Sequence, residues 1–201
     1  MLLSIICEFF IFMNGAVDLI KEIEKGQFLL ILLEEEACMD KIAEIAKSMA
    51  RTEKKLCYVC LSKPYMDVAN DLRNRGIDVK KSHFIDVLSS HYGKRRPTDN
   101  CTFLDSPTDL ADIRVAISNA IKEKKCSVVV FDTISTMLIY QETSKIVRFT
   151  HDFLSEERER NKILYLVLKH DSIPVEESER LLSDLKMFAD RTINFNKKSD
   201  I

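Results

Sequence analysis

Glycine is scarce in this sequence: four residues in 201, at positions 15, 26, 76 and 93. A phosphate-binding loop of the form GxxxxGK followed by Ser or Thr needs glycines so that successive backbone N–H groups can close around phosphate, and no window reads that way. The pair Gly93-Lys94 does not supply one, because Leu88 stands where the first glycine would have to be. There is also no Gly-x-Ser-x-Gly turn to present a nucleophilic serine. Long apolar runs are missing too. Residues 1–13 are nearly all apolar, but Glu8 interrupts them and a bilayer crossing takes about 20 such residues. No basic residue precedes that run and no small-residue cleavage site follows it, which argues against a signal peptide. Neither charge dominates. Lys plus Arg number 30 and Asp plus Glu 32, for a formal net charge of -2, so no global field draws the chain to nucleic acid or anionic lipid. Six cysteines at 7, 38, 57, 60, 101 and 126 form no regular framework and fit a reducing cytoplasm better than a secreted, disulfide-built domain. Repeats, low-complexity tracts and linkers are absent, so residues 14–201 are expected to form a single domain. Residues 1–13 read as an apolar extension packed as a helix or edge strand. They also read as sequence upstream of a natural start at Met13, where Asn14 would cap the next helix. An amphipathic membrane anchor is the third reading.

What is present is an alternation of short apolar runs with amphipathic stretches. That is the pattern of an α/β protein: a three-layer, doubly wound, mostly parallel sheet with helices on both faces. Residues 14–25 place Val17, Ile20 and Ile23 on one helical face, with Gly26 set to end it. Residues 28–33 are continuously apolar, as expected of a central strand covered on both sides. Residues 39–51 are helical by spacing, 56–61 form a second strand, and Pro64 opens a helix that carries Val68, Ala69 and Leu72 inward until Gly76. Short strands are expected at 83–86 and 101–104, separated by the polar loop 89–100. Ser106, Pro107 and Asp109 together predict a helix start. Further strands at 128–132, 163–168 and 191–195 alternate with helices at 145–160 and 174–188.

The run Val128-Val129-Val130-Phe131-Asp132 is an apolar strand ending in a carboxylate, followed by Thr133, Ile134, Ser135 and Thr136. In ATPases a carboxylate at that place holds a magnesium ion or its water beside the phosphates. In parallel sheets generally it often only caps the following loop. The phrase VVVFDTISTML, with Ser62-Lys63-Pro64-Tyr65 and Arg75-Gly76-Ile77-Asp78, resembles the RecA/KaiC-type ATPase superfamily over residues 28–195. Within it the chain is similar to archaeal KaiC-like proteins of unknown function. The resemblance implies a RecA-like core in which the strands of Phe28, Ile163 and Val128 are neighbours, with those of Leu56 and Arg191 further out. It makes Asp132 a Walker B remnant, and it allows ring or dimer oligomers.

Two departures separate this chain from that family. Where the phosphate loop should follow the first strand, the sequence reads Glu34-Glu35-Glu36-Ala37-Cys38-Met39-Asp40-Lys41. A carboxylate about 4 Å from a phosphate charge costs about 4 kcal/mol at an effective dielectric of about 20. The same triplet is also a natural solvated acidic turn into a helix, whose amino end favours negative charge. After the second strand, where the family carries a glutamate that activates water, Cys60-Leu61-Ser62-Lys63 has no carboxylate. Phosphoryl transfer would lack both its positioning and its base. The sequence therefore favours a non-catalytic RecA/KaiC-like domain acting as a regulatory or scaffold protein through a protein partner or self-association, with ATP and magnesium disfavoured and no other cofactor or metal expected. The alternative is a nucleotide-binding or ATPase-like protein that uses the crevice near Asp132 in a modified way, with Lys169 and His170 at the next strand end contributing. Cys57 and Cys60, three apart on a strand, should face opposite ways and not chelate. Lys94, Arg95 and Arg96 are the single candidate patch for nucleic acid, and a short run without a basic face reads better as a solvated loop.

Overall fold

The computed structural model describes residues 19–90, 95–168 and 172–195. Residues 1–13, the Asn14 cap, Lys94, Lys169 and His170 lie outside the described residues. Seven strands build one sheet: β1 (Phe28–Leu32), β2 (Lys55–Cys60), β3 (Ser82–Asp86), β4 (Cys101–Phe103), β5 (Cys126–Asp132), β6 (Lys162–Val167) and β7 (Arg191–Asn194). Their order is β4-β3-β2-β5-β6-β1-β7, and each neighbouring pair is parallel. Ile163 pairs with Phe28 on one side and Val129 on the other, so the strands expected to be neighbours are neighbours, with β2 and β7 outside them. The first strand is interior but not central. Among the described residues it is one place from the edge, with β7 beyond it, while β2, β5 and β6 hold the middle.

Side chains alternate across the sheet, as strand geometry requires. Leu29, Ile31, Tyr58, Val128 and Val130 meet α1 (Leu19–Glu24), α2 (Glu35–Arg51) and α3 (Tyr65–Asn74) on one face. Phe28, Leu30, Val129 and Phe131 meet α4 (Leu110–Lys124), α5 (Thr143–Glu157) and α6 (Val175–Lys186) on the other. This is the three-layer α/β arrangement expected from the sequence. The second face is rich in rings: Phe131 lies 4.6 Å from Tyr165 and 5.8 Å from Phe153, both edge-on. Such pairs add about 0.5–1.5 kcal/mol each beyond area burial.

Local chemistry sets the ends of the helices. Gly76 follows α3 at φ 77°, a left-handed position with no neighbour for a Cβ to meet, where glycine is the unstrained choice. The start of α4 falls later than the Ser106-Pro107 pair suggests. Ser106 Oγ instead accepts the Thr108 amide at 3.1 Å in a local turn, and Asp109 caps the helix by accepting the Asp112 amide at 3.0 Å. Helix α2 begins at Glu35, four residues before the predicted position, and Pro64 sits just ahead of α3 rather than inside its first turn. After β5 the chain forms a 3-10 helix over Ile134–Ile139, an element too short for apolar periodicity to reveal.

Candidate functional site

In a doubly wound sheet the crevice for ligands opens at the carboxyl ends of strands whose outgoing connections diverge to opposite faces. Two neighbouring pairs meet that condition: β2 and β5, followed by α3 and α5, and β6 and β1, followed by α6 and α2. Asp132 ends β5 beside Cys60 of β2. It therefore stands at the carboxyl end of a central strand, as the sequence pattern has it, and at one of the two switch points.

Asp132 is buried, 2% exposed, and has partners of its own. The Tyr58 hydroxyl donates to Oδ2, and the Cys38 thiol lies 4.0 Å from Oδ1. The Asp132 carbonyl accepts the Leu61 and Ser62 amides at 2.7 and 2.9 Å, which stitches the ends of the two strands together. Burial, reinforced by the Asp132 charge, pushes the Tyr58 pKa well up, so the phenol stays a proton donor. The Cys38 thiol is pushed up to about 12, first by burial and then by the same charge, which removes it as a nucleophile near neutral pH. The hydroxyls after Asp132 are engaged with one another and with the next strand. Thr133 and Thr136 pair at 2.8 Å, Ser135 donates to Thr133 at 3.3 Å, and the Leu168 amide donates to Ser135 Oγ at 3.2 Å.

On the β1 side, only Leu33 and Glu34 separate the strand from α2. Glu34 is the N-cap residue without a side-chain capping bond, and Glu35 and Glu36 occupy the first helical turn. The acidic turn anticipated ahead of the helix is thus the helix's own first turn, where carboxylates meet the positive end of the dipole.

Tyr58 and Cys38 were not legible as partners of Asp132, since they stand 74 and 94 residues away. Asp86 was read only as the end of a strand. It is fully buried and accepts the amides of Tyr65, Leu88 and Ser89 at 2.7, 2.8 and 2.9 Å, besides the Ser89 hydroxyl. These donors commit it to holding α3 and the loop after β3. Cys57 and Cys60 belong to the cores on opposite faces of the sheet. Among the described residues no group of three or more His, Cys, Asp or Glu is disposed to hold a metal. In the candidate basic patch, Arg95 pairs with Asp105 and donates to Ser90 Oγ at 2.9 Å and the Leu104 carbonyl at 3.1 Å. It fastens a loop, and exposed Arg96 is left beside it.

No family model and no curated protein matches the chain. Solved structures do. A KaiC-like protein of the hyperthermophilic archaeon Pyrococcus horikoshii superposes with a TM-score of 0.57 at 14% identity, over 88% of this chain and 75% of that one. An uncharacterised protein of the same archaeon, solved in complex with an unknown peptide, gives a TM-score of 0.58 at 13% identity, over 85% of this chain and 77% of that one. The chain has a RecA/KaiC-like fold.

Proposed function

We propose that this protein is a non-catalytic RecA/KaiC-like domain, without a working phosphate loop, that serves as a regulatory or scaffold element through contacts with a protein partner or with its own copies. The observation that carries the reading is the engagement of Asp132 by Tyr58 and Cys38 in a buried knot. Magnesium would have to displace a phenol held between strands, and triphosphate would meet the first turn of α2 with Glu35 and Glu36 where a nest of amides is needed. The peptide in the second Pyrococcus structure gives a precedent for peptide binding on this fold. The five described cysteines are free and buried thiols, and among the described residues no helix is long and apolar enough to cross a membrane. The free thiols support a cytoplasmic protein.

The test is a titration of the protein with a fluorescent ATP analogue and magnesium, followed by anisotropy. No saturable rise is expected up to millimolar nucleotide. Saturable binding in the micromolar range, abolished by Asp132→Asn, would establish the alternative, a nucleotide site of modified design.

A further inference from the structure

A groove of about 590 Å³ lies between α4 and α5, on the face of the sheet opposite α2. Leu110 and Arg114 line it from α4, Tyr140, Lys145 and Arg148 from the chain entering α5 and from that helix, and the buried Phe149 also contributes. Gln141 closes one end by donating to the Thr108 carbonyl at 2.6 Å. Asp152 is the single acidic side chain in the lining.

Within α5 the charges run against the helix field, although Glu142 at its N-cap and Arg158 at its C-cap follow it. A helix favours carboxylates at its amino end and cations at its carboxyl end. Helix α5 has no acid in its first turn, carries Lys145 and Arg148 near its start, and ends on Glu156 and Glu157. Glu156 is compensated by Arg114 at 3.3 Å. Lys145 and Arg148 are exposed and have no ion pair with any described residue.

We propose that this groove binds an acidic segment of a partner protein that also carries a bulky apolar side chain. The segment's carboxylates would meet Lys145 and Arg148, and its apolar group would rest on Leu110, Tyr140 and Phe149. A segment of polypeptide fits better than a small anion, because Leu110, Tyr140 and Phe149 line the groove alongside the exposed cations. Ile139, which directly precedes Tyr140, is 51% exposed. The proposal rests on the protein-contact reading above and names the surface for it.

The probe is a fluorescein-labelled peptide of alternating glutamate and phenylalanine, titrated with the full chain and read by anisotropy. Binding should saturate, weaken with added salt, and be absent for the peptide with glutamine in place of glutamate. The double variant Lys145→Glu/Arg148→Glu should bind about tenfold more weakly or worse, while its melting temperature stays level because both side chains are exposed. Should that variant misfold, Lys145→Gln/Arg148→Gln carries the same comparison. Equal binding by wild type and variant, no binding at all, or displacement by inorganic pyrophosphate at matched ionic strength would overturn the groove. None of these results bears on ATP, and ATP binding at Asp132 would overturn the non-catalytic reading without touching the peptide result.

Discussion

The carboxylate of Asp132 is the most informative single group in the molecule, because its partners decide what it can do. A buried carboxylate without donors is costly, and the Tyr58 hydroxyl is one of the donors that offset that cost. Tyr58→Phe keeps the ring and removes the hydroxyl, so it should cost about 1–3 kcal/mol. Urea denaturation should show this as a lower midpoint with an unchanged slope. In Asp132→Asn the amide can still accept the phenol, so the loss there should be smaller and the two effects should not add. His83 offers a second test at this scale. Burial, with the charges of Lys124 and Lys55 behind it, pushes its pKa from 6.5 down to about 4. Between those values the unfolded chain binds a proton that the folded chain refuses. The contribution of His83 is therefore complete above about pH 6.5 and is lost as pH falls toward 4. His83→Gln should flatten the fall in urea midpoint between pH 7 and pH 4.5 relative to wild type.

Among the elements, the entry to β1 depends on one residue of the turn before β7. Asp190 Oδ2 accepts the amides of Gln27 and Phe28 at 2.8 and 2.9 Å, and Arg158 pairs with the same carboxyl group. Burial alone would raise the Asp190 pKa, but the two amides and the guanidinium outweigh it and hold the carboxyl below its usual range. Asp190→Ala strands two amides at a strand start and should cost about 2–3 kcal/mol, read as a lower melting temperature. Elements of this kind were legible to different degrees. Each core strand announces itself by an apolar run, because parallel strands covered on both faces have no polar side to display. The start of α4 was misplaced because Ser106 and Asp109 are both capping residues, and only the backbone decides that one makes a turn and the other the cap. The early start of α2 was hidden for a related reason. Glu34, Glu35 and Glu36 look like a solvated turn and serve equally well as a helix amino end.

At the scale of the whole molecule, the layers followed from the alternation of apolar runs and the strand neighbours from the RecA/KaiC resemblance, while the candidate site followed from neither. Its decisive contacts join residues on α2, β2 and β5, and neither composition nor local spacing encodes which hydroxyl or thiol will reach a given carboxylate. Sequence could show that phosphate-binding glycines are missing. It could not show that only Leu33 and Glu34 connect β1 to α2, or that a tyrosine occupies the carboxylate at the end of β5.

Manganese electron paramagnetic resonance examines that point directly, since free aqueous Mn(II) gives a strong signal that disappears on binding. With ATP present, adding the protein should leave the manganese-nucleotide signal unchanged, and Asp132→Asn should behave like wild type. A saturable change in signal that Asp132→Asn abolishes would place a metal-nucleotide complex on the Asp132 carboxylate and contradict its commitment to Tyr58.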